Sequence, residues 1–192
     1  MRCIGITGGI ASGKSAVAKL FRYRNIPVFD ADVVARHGYD NVDWTFLHRF
    51  DSEINCKQGV DRAVLRALIA RHPIILDMLA EQLHPYVWRQ WQHFKSAHQR
   101  RGTGVIAAEV PLLLECGWQN AYDAVWVAHA PQWLRIQRVF TRHTMNEATL
   151  RAILERQYRD HERCSLADVI IPTAHGKANM ASHVWYYLGK KG

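Results

Sequence analysis

The residues of this chain best suited to chemistry are Gly8, Gly9, Ile10, Ala11, Ser12, Gly13, Lys14 and Ser15, a complete G-x-x-x-x-G-K-[ST] phosphate loop. The apolar run Cys3 to Ile6 precedes it and an amphipathic stretch follows, the strand-loop-helix setting such a loop requires. Glycines let successive N–H groups turn inward, and the helix N-terminus adds partial positive charge where phosphates would sit. Lys14 would bridge the β- and γ-phosphates, and the Ser15 hydroxyl would ligate Mg²⁺. Binding of ATP or GTP with Mg²⁺ follows. The loop alone leaves the acceptor open between water and a hydroxyl or phosphate. Asp30-Ala31-Asp32 bears on that choice, because it closes the second apolar run, and ligands of open α/β sheets bind beyond the carboxyl ends of the strands. A carboxylate there could take a proton from an attacking hydroxyl, Asp32 more than Asp30. Both could instead cap the following helix.

The elements that must position these groups are legible as short apolar runs separated by amphipathic stretches. Arg2 to Thr7, Pro27 to Asp30, Val105 to Val110, Ala124 to Ala128 and Val169 to Ile171 read as strands buried on both faces of a parallel sheet. Helical spacing predicts helices over Lys14 to Arg24, Arg62 to Arg71, Tyr86 to Arg100, Gln132 to Thr141, Glu147 to Glu162 and Lys177 to Leu188, with Gly189 as a stop. The alternation predicts a three-layer α/β/α fold. The roughly 75 residues between Asp30 and Val105 exceed what one crossover helix requires. A mostly helical insertion is therefore expected over 36–101, with Trp44, Phe46, Tyr86, Trp88, Trp91 and Phe94 as its own core.

Composition sets the outer limits. With 192 residues, 48% hydrophobic and 22% charged, the chain is one globular domain and neither disordered nor fibrous. A formal charge of +8 points to an anionic partner without choosing among nucleic acid, membrane surface and phosphorylated small molecule. Cys3, Cys56, Cys116 and Cys164 form no CxxC pair, so reduced thiols are expected in place of a zinc site or disulfide framework. No leader and no membrane span are legible, which predicts a cytoplasmic protein.

The phosphate loop, Asp30-Ala31-Asp32-Val33-Val34-Ala35-Arg36, Leu83-His84-Pro85 and Val110-Pro111-Leu112-Leu113-Leu114-Glu115 together resemble the dephospho-CoA kinase family, in order and at nearly its spacing. The resemblance spans essentially the whole chain. It implies a P-loop kinase fold with a core parallel sheet, a helical CoA domain and a mobile lid over 135–163. It also implies ATP-dependent phosphorylation of the ribose 3′-hydroxyl of dephospho-coenzyme A, the last step of coenzyme A synthesis. Carried over, Asp32 becomes the base for that hydroxyl, Arg36 a basic residue near the acceptor's phosphates, and His84 a neighbour of the acceptor pocket. Leu113 and Glu115 fall in the segment packed near the acceptor. Glu109 stands where related kinases hold Mg²⁺ through water, or it could partner the loop lysine. Within the lid, Arg138 and Arg142 are the arginines expected to reach the transferring group, while Arg135, Arg151, Arg156, Arg159 and Arg163 are expected mostly in surface pairs with Glu147, Glu155, Asp160 and Glu162.

Three departures stand out. Ala11 replaces a usual glycine, so the loop is expected to hold negative φ there. Ala16 replaces a usual threonine and removes one hydroxyl from the α-phosphate. Pro172-Thr173-Ala174-His175-Gly176 replaces an Asp-Asn stretch, which puts adenine contacts there in doubt. Rival readings are another small-molecule or nucleotide kinase and a nucleotide-regulated nucleic-acid-binding protein. The D-A-D-x-x-A-R segment opposes the first, and the absence of a nucleic-acid module opposes the second. No nucleic-acid or membrane partner is expected, and a monomer is the expected state.

Overall fold

The computed structural model describes residues 1–54, 56, 60–142 and 147–190. The chain divides into two compact units, Met1–Ala31 with Ala97–Gly192, and Asp32–Ser96.

The first unit is built on five parallel strands in the order β2-β3-β1-β4-β5. They are β1 (Arg2–Thr7), β2 (Val28–Asp30), β3 (Val105–Glu109), β4 (Ala124–His129) and β5 (Val169–Pro172). Each lies within the run its sequence marks, to a residue or two at the ends. Burial on both faces makes such runs continuously apolar, and β1 is buried from Cys3 to Thr7. Alternation still sorts the two faces. Ile4, Ile6, Ala107, Trp126 and Ile171 join Val17 and Phe21 of α1 (Lys14–Tyr23) and Val184 of α8 (Gly176–Gly189) in one fully closed core. Trp126 meets Phe21 edge to face, with ring centroids 5.3 Å apart. On the opposite face Gly5 is overlaid by Leu113 and Tyr122, so closely that a Cβ on Gly5 would lie 2.5 Å from Leu113 Cδ1. Asp123 and Asp168, the residues just before β4 and β5, tie the incoming loops to neighbouring strand backbones, Asp123 accepting from the Cys3 N–H at 2.6 Å and Asp168 from the Val125 N–H at 2.7 Å.

The strand order places β1 between β3 and β4, so the chain lays β2 and β3 on one side of β1 before crossing to β4 and β5 on the other. The crevice that this reversal leaves at the carboxyl ends is where α/β sheets place their ligands.

The second unit holds most of α2 (Ala31–Gly38), then α3 (Arg62–Arg71) and most of α4 (Ile75–Arg100). Its core gathers Val42, Trp44, Leu47, Leu65, Leu68, Ile75, Leu79 and Leu83, with Phe46 packed against it. Trp91 and Phe94 stack at 5.9 Å. Asp61 caps α3 by accepting from the Ala63 N–H at 2.7 Å. The helix expected to begin at Tyr86 instead begins at Ile75 and runs through Pro85. Proline removes one backbone hydrogen bond and crowds the preceding turn, at about 3 kcal/mol. Ile75, Leu79, Leu83, Val87 and Trp91, four residues apart, form one buried stripe along the helix. At roughly 1.5–3 kcal/mol for each fully buried side chain, that stripe outweighs the proline.

The helix expected over Glu147 to Glu162 is two, α6 (Glu147–Arg156) and α7 (Asp160–Ser165). The Arg159 N–H, at the start of α7, donates to Glu162 Oε2 at 2.7 Å, and the intervening backbone is turned to other uses described below. α5 (Gln132–Thr141) has the bounds its periodicity predicts. Among the described residues no helix is long and apolar enough to cross a membrane.

Candidate active site

The phosphate loop joins β1 to α1. Gly13 at φ +101° immediately precedes α1, and among the described residues no side chain caps that helix, so its first amides receive no side-chain cap hydrogen bond. Lys14 Nζ folds back to donate to the carbonyls of Gly8 at 2.8 Å and Gly9 at 3.0 Å. Ser15 Oγ donates to Glu109 Oε1 at 2.6 Å.

Glu109 ends β3, in register with Ile6 of β1 on one side and Asp30 of β2 on the other. It is only 6% exposed. Burial raises its pKa above the ordinary glutamate value and Asp30 adds to the rise, while the Ser15 hydroxyl, Lys14 and Arg22 oppose it. Asp30 in turn lies 3.6 Å from Arg22 of α1. A hydroxyl, an ammonium and two carboxylates therefore meet at the carboxyl ends of three adjacent strands.

These groups suit a nucleotide with its cation. Ser15 Oγ and the Glu109 carboxylate are hard oxygen donors already at contact distance, the donor type Mg²⁺ prefers. Ser12 Oγ, 1% exposed, has no hydrogen-bond partner among the described residues, an orphaned hydroxyl within the loop that an anion would satisfy. Gly9 leaves room for nothing but backbone, since a Cβ there would lie 2.3 Å from Arg135 Nη1.

Ala11 overturns one expectation, because its φ is +54° and not negative. A left-handed non-glycine residue costs about 1–2 kcal/mol, so its surroundings must hold it. Arg138 Nη1 donates to the Ala11 carbonyl at 3.2 Å, and Arg138 Nη2 donates to the Thr173 carbonyl at 2.7 Å. The Thr173 hydroxyl donates to the Ser12 carbonyl and lies 3.1 Å from the His129 carbonyl. Arg138 and Thr173 thus brace the crown of the loop from α5 and from the end of β5. The segment Pro172 to Gly176, which departs from the family pattern, contributes this brace. Ala16, the other loop departure, packs its methyl against the core beneath α1.

Arg135 and Arg163 correct a second expectation, for they are buried and not surface arginines, at 5% and 2% exposure. Arg135 Nη2 forms a bidentate bond with Asp160, at 2.9 and 2.7 Å. Arg163 Nη1 shares Asp160 Oδ1 at 3.1 Å, and Arg163 Nη2 lies 3.5 Å from Glu115 Oε1. Arg151 with Glu147, at 3.5 Å, is the exposed pair of the expected kind. Glu115 also accepts from the Tyr158 N–H at 2.9 Å, and the Ile10 N–H donates to Gln157 Oε1 at 2.9 Å. The turn between α6 and α7 is therefore strapped both to the phosphate loop and to Glu115. The i,i+3 spacing of Asp160 and Arg163 hints at their pair. Nothing in the sequence pattern singles out Gln157, and Thr173 is marked only as part of a segment that departs from the family pattern; both roles depend on distant backbone.

Of the remaining expected residues, Leu113 is fully buried against Gly5. Arg142 is exposed at the C-terminal end of α5, beside residues outside the described set. In the second unit Asp32 sits in the first turn of α2 with Arg36 one turn later on the same helix face, both exposed. His84 lies within α4, half-buried, where burial lowers its pKa and keeps the imidazole neutral. It does not begin the helix, as a histidine before a proline would suggest.

A parallel sheet carrying a phosphate loop after β1, with a buried carboxylate bonded to the loop serine from the neighbouring strand, defines a P-loop kinase. Residues 2–178 match the family model described as dephospho-CoA kinase. A dephospho-CoA kinase of Bradyrhizobium diazoefficiens is 32% identical over 190 residues, covering 99% of this chain and 96% of that protein. One from Gluconobacter oxydans is 35% identical, covering 90% and 89%. A solved structure from Thermus thermophilus superposes with TM-score 0.80 at 29% identity, covering 97% of this chain and 95% of that one. This chain belongs to the dephospho-CoA kinase family.

Proposed function

We propose that this chain transfers the terminal phosphoryl group of ATP to the ribose 3′-hydroxyl of dephospho-coenzyme A, giving coenzyme A and ADP. The observation that carries this reading is the Lys14, Ser15 and Glu109 group at the ends of β1 and β3, within a chain of this family. Loop amides and Lys14 hold the phosphates, and Ser15 with Glu109 holds Mg²⁺, which when bound offsets charge on the phosphoryl oxygens. Asp32 takes the proton of the 3′-hydroxyl as its oxygen bonds to phosphorus and ADP departs with the β,γ-bridging oxygen. The unit spanning Asp32–Ser96 binds the acceptor, with Arg36 toward its phosphates and His84 as a neutral polar neighbour. Leu113 and Glu115 belong, by the family resemblance, to the segment serving the acceptor; Leu113 is a core residue and Glu115 accepts from the Tyr158 N–H. The lid spans 135–163, Arg142 is its arginine for the transferring group, and Arg138 acts through the loop it braces.

An acceptor screen tests this. Purified protein with ATP and Mg²⁺ is offered dephospho-CoA, shikimate and nucleosides, with ADP release and product mass as readouts. Coenzyme A formation well above every other product is expected. ADP release without it, or faster phosphorylation of another acceptor, would overturn the assignment.

A further inference from the structure

Gln157 occupies the break between α6 and α7, and its Oε1 accepts from the Ile10 N–H at 2.9 Å. A backbone N–H can only donate, so the atom facing it must be the amide oxygen, and the orientation of the whole carboxamide follows. The –NH₂ then points away from the Ile10 amide. Among the described residues it donates to no protein group.

The backbone carrying Gln157 is held with uncommon firmness for a turn. Immediately after it, the Tyr158 N–H donates to Glu115 at 2.9 Å and the Tyr158 carbonyl accepts from Arg163 Nη2 at 2.6 Å. Arg163 is joined through Asp160 to Arg135, against which Gly9 packs. Gln157 also lines a cavity of about 450 Å³ together with Arg135, Arg159, Asp160 and Arg163. A carboxamide spans about 2.3 Å from oxygen to nitrogen, so Nε2 lies within about 5 Å of the Ile10 amide at ordinary hydrogen-bond lengths. That is within reach of a phosphoryl oxygen cradled by the same loop.

We propose that Gln157 is a further residue of phosphoryl transfer: its carbonyl is anchored on the loop and its amide protons are presented to the terminal phosphate of the nucleotide. The proposal rests on the ATP-dependent reading above. It adds a donor at the transferring group that is preorganised by the loop itself and carries no charge, so it leaves undisturbed the balance among Lys14, Glu109 and the cation.

Gln157→Glu separates this from a merely structural tie, because it keeps an acceptor for Ile10, removes both donors and places a negative charge where the terminal phosphate would lie. ADP and a non-hydrolysable ATP analogue are titrated by calorimetry against wild type and variant. ADP affinity is expected within about twofold of wild type, while the ATP analogue binds about tenfold more weakly or worse, the loss of one hydrogen bond to a charged group. With dephospho-CoA as acceptor, kcat should fall by roughly 10²- to 10³-fold. Equal weakening of both nucleotides, or wild-type values for both, would overturn the proposal. Should Gln157→Glu fail to fold by its thermal midpoint, Gln157→Met serves, and the ATP analogue must again lose more than ADP. The nucleotide comparison needs no acceptor. A wild-type protein that never phosphorylates dephospho-CoA would therefore refute the proposed reaction while leaving the position of Gln157 to be decided by the two titrations.

Discussion

The hydroxyl of Ser15 and the carboxylate of Glu109, 94 residues apart in the chain, are bonded at 2.6 Å. The contact joins the first turn of α1 to the end of β3, where burial outweighs the Ser15 hydroxyl, Lys14 and Arg22 in setting the charge state of the Glu109 carboxylate. Such a carboxylate is costly to ionise unless a cation arrives. The pair is thus both a structural joint and a site with affinity for a hard cation.

One consequence is a pH-dependent stability that Glu109→Gln should remove. Burial raises the Glu109 pKa above 4.5, its ordinary value, so ionising it weakens the fold. Stability attributable to this group is fully present below the unfolded pKa and declines as pH rises through the folded one. Glutamine keeps an acceptor for Ser15 and has nothing to ionise. The thermal midpoint of Glu109→Gln should exceed that of the wild type at neutral pH, with the difference shrinking toward pH 4.5, while Mg²⁺-dependent turnover falls. Parallel midpoint curves across that range would contradict the assignment.

Lys14 offers a cleaner separation of fold from function. Its ammonium donates to the loop carbonyls of Gly8 and Gly9, at 2.8 and 3.0 Å, and it sits outside the apolar core beneath α1. Lys14→Ala should leave the circular dichroism spectrum and cooperative melting intact while reducing phosphoryl transfer by roughly 10²- to 10³-fold or more, the scale of one lost electrostatic contact to the reacting group. Transfer near the wild-type rate at saturating ATP would refute its role.

Ala11 gives a stability prediction of opposite sign to most substitutions. At φ +54° it sits where glycine is at ease. Ala11→Gly relieves about 1–2 kcal/mol of left-handed strain and forfeits about 0.5–1 kcal/mol through the freer unfolded chain. A net gain of roughly 0.5–1 kcal/mol is expected from denaturant midpoints at unchanged slope. A loss would mean that the methyl group itself is needed, or that Arg138 holds a different loop in solution.

The parts of this molecule that a reader of the sequence can recover are those whose causes are local. Strands buried on both faces leave continuous apolar runs, and α3 and α5 have strong periodicity with clear ends, so their bounds agree with expectation to the residue. The phosphate loop carries its chemistry in adjacent residues. What stayed hidden has distant causes. The helix continues through Pro85 because a stripe from Ile75 to Trp91 finds a core, and the break after Arg156 exists because Glu115, more than forty positions earlier, accepts from Tyr158. Arg135 and Arg163 share the composition of surface arginines, and only Asp160 and Glu115 in three dimensions bury them. The positive φ of Ala11 follows from Arg138 and Thr173, neither of which is near it in the chain.

Asp32 separates the proposed enzyme from its rivals. It begins the second unit, in the first turn of α2, with Arg36 one turn beyond. A ribose hydroxyl is a poor nucleophile, and a positioned carboxylate typically contributes 10²- to 10⁴-fold by accepting its proton. Asp32→Asn preserves shape and removes the base. The 3′-phosphorylation of dephospho-CoA should fall by that factor with ATP affinity nearly unchanged, since the loop, Lys14 and Ser15 are untouched. Asp30→Asn should cost less in kcat, because Asp30 is engaged with Arg22 at 3.6 Å and stands beside Glu109 in the register of β2 and β3. Its effect should appear in the Mg²⁺ dependence, through the charge it adds next to Glu109. Measuring kcat for both variants beside an ATP titration decides the matter. If Asp32→Asn keeps near-normal kcat, or loses ATP binding instead, the proton must leave the hydroxyl by another route and Asp32 belongs to the metal shell or the fold.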